Sequence, residues 1–176
     1  EKHADGAVKC SWPAYLPSAW KPGHAWYGNT GSFVTSRFKD GKPSASAANA
    51  DFVTVMVLDD VGTKSDVPPL APTWKMETSP GNFQWGYVFS EQPSSQEFSA
   101  AIKAIADAGY TDKGAINAVR NFRLPGSINL KPGREGFESK LVEFAPEREY
   151  TLEEICAGLN VVPAEADTAR IRRVEL

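Results

Sequence analysis

The sequence predicts an α+β fold built around a mostly antiparallel sheet. A β-branched run, DFVTVMVL at 51–58, reads as a central strand, and an aromatic alternation around Pro80-Gly81 reads as a hairpin. Two capping boxes, Ser94 with Glu97 and Thr151 with Glu154, open helices of their own. Strands and helices therefore interleave through hairpins, the pattern of an α+β domain.

Taken in order, the opening stretch to about Gly23 is rich in Pro and Trp and has no clear period. HAWYGN and SFVTSRF suggest two short strands around an Asn29-Thr30-Gly31 turn. GKPSASAANA, at 41–50, is small and polar and reads as a loop. The central strand follows and runs into Asp59-Asp60, after which the prolines of GTKSDVPPLAP exclude regular structure. TWKMETSPGNFQWGYVF is the hairpin: Pro80 sets the first torsion of a type II turn and Gly81 supplies the positive one. Beyond the turn, Phe83, Trp85, Tyr87 and Phe89 point one way, as a core row. Asn82, Gln84, Gly86 and Val88 point the other, where an amide beside a glycine leaves space for a ligand. A helix over 94–108 carries the stripe Phe98, Ile102, Ile105 and stops at Gly109. A shorter helix is expected from Asp112 to about Asn121, then a turn and strand in RLPGSINLK and a strand in KLVEF, 140–144. Gly158 ends the last helix. One domain over 1–160 is expected, with 161–176 a charged tail or a linker to a further domain.

The chain has 176 residues, enough for one domain with a proper core, and its 41% hydrophobic and 23% charged residues fit a soluble globular protein. A net charge of −3 argues against nucleic-acid binding by bulk positive potential. A local basic pocket stays open, since Arg120, Arg123, Lys131 and Arg134 fall in one segment; Glu135 and Glu138 follow closely, and a solvated face is the plainer reading. Cys10 and Cys156 suit free thiols in a reducing compartment. With His3 and His24 the only histidines, they make no zinc site unaided. No apolar run reaches membrane-spanning length and no basic-then-apolar leader opens the chain, so no membrane partner and a cytoplasmic location are expected.

Three segments can carry chemistry. Asp59 and Asp60 end the strongest strand. On an unbroken strand they face opposite sides, so joint metal ligation needs a bend, which Val61-Gly62 permits; the alternative is a solvated acidic strand end. SPGNFQ, 79–84, offers Ser79, the flexible Gly81 backbone, Asn82 and Gln84, a set that can cradle phosphate oxygens or simply satisfy a hairpin turn. Asp112 is a good N-cap. Arg123, ahead of a rigid Leu-Pro-Gly turn, suits bidentate phosphate binding.

In this order, LDDVGTK, ETSPGNFQWGYVF, YTDKGA and VRNFRLPGSINLK resemble the archaeo-eukaryotic primase (AEP) superfamily, in particular the RepB-like primases of plasmids, phages and integrated mobile elements. The resemblance covers about 52–144; residues 1–50 match loosely as an N-terminal α/β unit of the core. It implies a catalytic core with an RRM-like sheet packed by helices, acting as a nucleotidyltransferase that makes primers on single-stranded DNA from NTPs or dNTPs. It implies two divalent ions, Mg²⁺ or Mn²⁺, on Asp59, Asp60 and Asp112, and no zinc module. It also implies triphosphate contacts from Ser79, Gly81, Asn82, Gln84, Arg120, Arg123 and Lys131, with Asn129 in the same pattern. Many members have a histidine where this chain has Gln84, which can hydrogen-bond a triphosphate but cannot exchange a proton near neutral pH. Trp26 or Tyr27 is available to stack template bases, and a replicative helicase, in cis or trans, is an expected partner. The rival is a non-catalytic RRM-like module binding a single strand or an origin. A rolling-circle nicking enzyme would need a paired-histidine motif that the two separated histidines do not provide.

Overall fold

The computed structural model describes residues 23–164, apart from 35, 37, 38, 42, 43 and 135. The Pro/Trp-rich opening stretch, Cys10, His3 and nearly all of the charged tail lie outside the described residues. Strands β1 (Tyr27–Asn29), β2 (Gly31–Phe33), β3 (Ala50–Val53) and β4 (Val55–Val61) lead into a hairpin of β5 (Trp74–Ser79) and β6 (Asn82–Phe89). Helix α1 (Ser95–Asp107) follows, then short strands β7 (Asn121–Arg123), β8 (Ile128–Asn129) and β9 (Phe137–Glu138). The described chain closes with β10 (Lys140–Phe144), β11 (Glu149–Tyr150) and α2 (Leu152–Gly158).

The fold is α+β, as the sequence predicts. Its main sheet centres on β6, which pairs antiparallel with β4 and β5; β10 adds antiparallel to β5 and β11 adds parallel to β6. The predicted turn is present, with Ser79 opposite Asn82 and Gly81 at φ 68°. Both capping boxes form, Ser94 with Glu97 on α1 and Thr151 with Glu154 on α2. The aromatic row faces the core: Trp85, Tyr87 and Phe89 pack with Met56, Leu58, Phe98, Ile102, Ile105, Ile155 and Leu159, and Phe83 lies against them. Cys156 is a buried free thiol in α2. Among the described residues no helix is long and apolar enough to cross a membrane.

Three local expectations change. The strands flanking Asn29-Thr30-Gly31 do not pair with each other: β1 pairs with β7 and β2 with β3. Thr30 is the cause. It is buried, its N–H donates to Arg120 O (2.9 Å) and its hydroxyl to Ala118 O (3.1 Å), so the chain crosses between sheets there. Its carbonyl in turn accepts the N–H (2.9 Å) and hydroxyl (3.0 Å) of Thr54, which divides the single predicted strand into β3 and β4. Finally, the helix expected after Asp112 is only a 3-10 turn, Lys113–Ala115. Side chains take the amides that helix carbonyls would need: Gly114 N–H goes to Asp112, Val119 N–H to Asn117 and Arg120 N–H to Thr30 Oγ1.

On the sheet face opposite the core, the open space expected beside Gly86 is filled. The Trp74 indole lies over it, so closely that a Cβ on Gly86 would come within 1.9 Å of Trp74 Cε2. Phe122 stacks on that indole at 5.5 Å between centroids. The usable part of this face is the end nearer the Pro80-Gly81 turn.

Candidate active site

The chemistry gathers where β4 ends against β6. Leu58 lies opposite Trp85 and Val61 opposite Phe83, so Asp59 and Asp60 together oppose the single residue Gln84. This is a β-bulge, and Asp60 takes it up with φ at 57°, a left-handed conformation that Asp tolerates better than most residues. The bend falls on Asp60 itself rather than after it. Strand alternation is broken, and both carboxylates come opposite Gln84: Asp59 Oδ1 accepts from Gln84 Nε2 (3.2 Å), and the Asn82 side chain near Asp60 helps lower its carboxyl.

A tight loop secures the second carboxylate. The Asp60 carbonyl accepts the N–H groups of Thr63, Lys64 and Ser65 at 3.0–3.1 Å, and Ser65 Oγ donates to Asp59 O (2.9 Å). The loop brings Lys64 Nζ to 2.7 Å from Asp60 Oδ2. Burial pushes the Asp60 carboxyl up, but hydrogen bonds from Lys64 and Asn82, with the nearby charge of Lys131, outweigh it and hold the group below its ordinary range. The first carboxylate is held by Arg120, whose Nη2 lies 2.5 Å from Asp59 Oδ2, with only 16% and 22% of the two side chains exposed. Arg120 Nε is buried with no hydrogen-bond partner among the described residues. Thr111, buried beside Asp112, accepts the Asp59 N–H (2.9 Å) and ties that loop to the strand end.

The remaining predicted residues divide into rim and support. Asp112 is exposed and caps Gly114 through Oδ1 (3.1 Å); its charge acts on Lys64. Lys131 is exposed at the rim. Ser79 and Asn82 are buried, and Gly81 donates its N–H to Glu77 Oε1 (3.0 Å), so the turn's amide is satisfied inside the hairpin. Asn82 also accepts from Thr63 Oγ1, joining the hairpin tip to the Lys64 loop. Arg123 is buried: Nη1 donates to Ile128 O (3.2 Å), Nη2 to Asn129 Oδ1 (3.0 Å), and the guanidinium lies over the Tyr27 ring at 5.1 Å. Asn129 reaches on to Thr78 O (2.8 Å), and Gln84 Oε1 accepts the Arg123 N–H (3.1 Å). Arg123 thus holds the RLPGSINLK turn against the hairpin. Lys64 and Thr111 join the site only in the fold; the Asp60-to-Lys64 spacing across Gly62 is the one sequence signal for the former.

Among the described residues, no three His, Cys, Asp or Glu side chains lie close enough together to hold a metal ion. The pair Asp59-Asp60 nevertheless has the chemistry for a hard divalent cation, which takes one or two carboxylates and completes its shell with phosphate oxygens and water. Each carboxylate here faces a cationic side chain, and the unpartnered Arg120 Nε suits an anion arriving beside them.

No protein-family profile matches the chain, and no curated protein does. A solved structure shares its architecture, and the chain has the fold of an AEP domain. The AEP domain of the cyanophage S-2L primase-polymerase aligns with TM-score 0.51 at 17% identity, over 65% of this chain and 64% of that one. The chain therefore spans slightly less than two thirds of that domain's length. The catalytic domain of primase RepB′ in complex with initiator DNA aligns with TM-score 0.47 at 15% identity, over 70% of this chain and 64% of that one. A structure of primase RepB′ aligns with TM-score 0.48 at 15% identity, over 70% and 43%.

Proposed function

We propose that this chain is the catalytic core of a DNA primase or primase-polymerase of a mobile element, transferring nucleotides on a single-stranded DNA template. The observation that carries this reading is the bulge that brings Asp59 and Asp60 together opposite Gln84. The AEP fold shared with the S-2L domain supports it. Mg²⁺ or Mn²⁺ would be held by Asp59 and Asp60, with Asp112 at the rim for a second ion. Bound there, the metal supplies charge neutralisation for the triphosphate and acidifies the attacking 3′-hydroxyl.

The chain's own residues do the rest. Gln84 and Arg120 fix the Asp59 carboxylate, and the Thr63–Ser65 amides fix the backbone of Asp60. Arg120 and Lys131 face the triphosphate and offset its charge, and Ser79, Gly81 and Asn82 form the polar hairpin tip beside it. Arg123 acts by holding the turn that presents Lys131. The exposed face of Tyr27, supported from behind by Arg123, offers a platform for a base.

Titrating a fluorescent nucleoside triphosphate against the protein, with Mn²⁺ and with chelator, tests the reading against a metal-independent binding module. Metal-dependent affinity, lost in Asp60→Asn, is expected. Asparagine is the variant of choice because it also tolerates a left-handed backbone. Equal affinity without metal would favour the binding module.

A further inference from the structure

Asp59 and Asp60 have unlike counter-charges. Arg120 is mostly enclosed, whereas the Lys64 side chain is 69% exposed against 13% for Asp60. An enclosed ion pair is costly to break from one side, while an exposed ammonium exchanges its partner for water at little cost. The Lys64 loop fixes where that ammonium starts: three amides close on the Asp60 carbonyl, and Gly62 at φ 82° allows the reversal. Lys64 also lies within the electrostatic reach of Asp112, which attracts it, and of Arg134, which repels it.

Resting on the metal-site reading above, we propose that Lys64 is a tethered counter-cation that occupies the Asp60 carboxylate until a divalent ion displaces it, making Lys64 a positioning residue that sets how readily Asp60 loads metal. Two adjacent carboxylates repel each other, and only Asp59 has a permanent partner in Arg120. Without nucleotide phosphate, Lys64 neutralises Asp60 and weakens its hold on a free ion. When the ion enters, the ammonium turns outward to solvent and the incoming phosphates. The exposed lysine yields, and the enclosed arginine stays.

The test is nucleotide-free Mn²⁺ binding, read by the loss of the free-ion paramagnetic resonance signal. It uses the full chain and the variants Lys64→Met, Lys64→Arg and Asp60→Asn. Lys64→Met is expected to bind Mn²⁺ about two- to fivefold tighter than the parent, the range of a surface charge pair. Lys64→Arg, which keeps the charge, should stay within about twofold of the parent, and Asp60→Asn should lose the site. A purely structural lysine would not tighten metal binding when removed. Lys64→Met binding no tighter than the parent, with Asp60→Asn still losing the site, overturns the role of Lys64 and leaves the metal site standing. Asp60→Asn binding like the parent, or no binding by the parent and Lys64→Met alike, overturns both.

Discussion

Replacing Asp59 with asparagine keeps the side chain's shape and its contact with Gln84 but removes the charge that faces Arg120. The pair is close, at 2.5 Å, and both side chains are about four-fifths enclosed, at 16% and 22% exposure. Breaking a fully buried pair from one side costs about 3–5 kcal/mol, because the surviving charge is stranded. The residual exposure here lowers that to about 2–3 kcal/mol, with Arg120 left holding an unpartnered Nε as well. For a domain of this size that is a fall in Tm of about 4–12 °C. Arg120→Met should cost a similar amount, since it strands Asp59 in turn. The double variant strands neither charge, so it should be less damaged than the two losses added, by a coupling of about 2 kcal/mol. Urea unfolding followed by tryptophan fluorescence, in chelator so that no metal intervenes, measures all four proteins. A coupling below about 0.5 kcal/mol would refute the reasoning: the pair would then behave as solvated, and Arg120 would not be what holds Asp59 in place.

Further expected outcomes bear on the support of the site. Gly86→Ala must push the Trp74 indole off the sheet, because the new Cβ would lie 1.9 Å from it; a loss of about 1–3 kcal/mol and a changed tryptophan spectrum should follow. Arg123→Lys loses the planar fork to Ile128 O and Asn129 and should destabilise by about 2 kcal/mol. If Arg123 instead contacted nucleotide directly, the same change would weaken nucleotide binding and leave unfolding unaltered. Glu143 bridges Lys75 (2.7 Å) and Arg148 (2.6 Å), and hydrogen bonds from the two hold its carboxyl below the ordinary value. A lowered carboxyl stabilises the fold above its unfolded pKa of about 4.3, and that contribution disappears as pH falls through the lower folded value. The Tm gap between the parent and Glu143→Gln should therefore be full at pH 7 and close in acid; a gap unchanged down to pH 2 would contradict this.

What the sequence made legible was local. The hairpin turn at Pro80-Gly81, both capping boxes and the core row on β6 depend on neighbours a few residues away, so their chemistry can be read along the chain. The order of acidic and basic segments singles out candidate residues, of which the fold brings Asp59, Gln84 and Arg120 into contact. The missing parts are non-local. Thr30 redirects two strands by bonding to 118 and 120, residues it meets only in the fold. The Arg123 guanidinium reads along the chain as a phosphate ligand on a rigid turn; its burial is visible only in the fold, where Tyr27 is its cross-strand partner and Asn129 closes on it. Alternation along a strand also places Asp59 and Asp60 on opposite faces; one residue in a left-handed conformation reverses that, and no residue-type pattern announces it when the residue is an aspartate. Lys64 was in plain view within LDDVGTK, yet its significance depends on the loop closing back on the Asp60 carbonyl.

The central claim is that the bulged aspartate pair drives template-directed nucleotide joining. It is tested most directly by incubating the full chain with single-stranded DNA, labelled NTPs or dNTPs and Mg²⁺ or Mn²⁺, and resolving the products by length. Short template-dependent products are predicted from the parent and their loss from both Asp59→Asn and Asp60→Asn. Equal product from either variant, or none from the parent with either metal, would contradict the account.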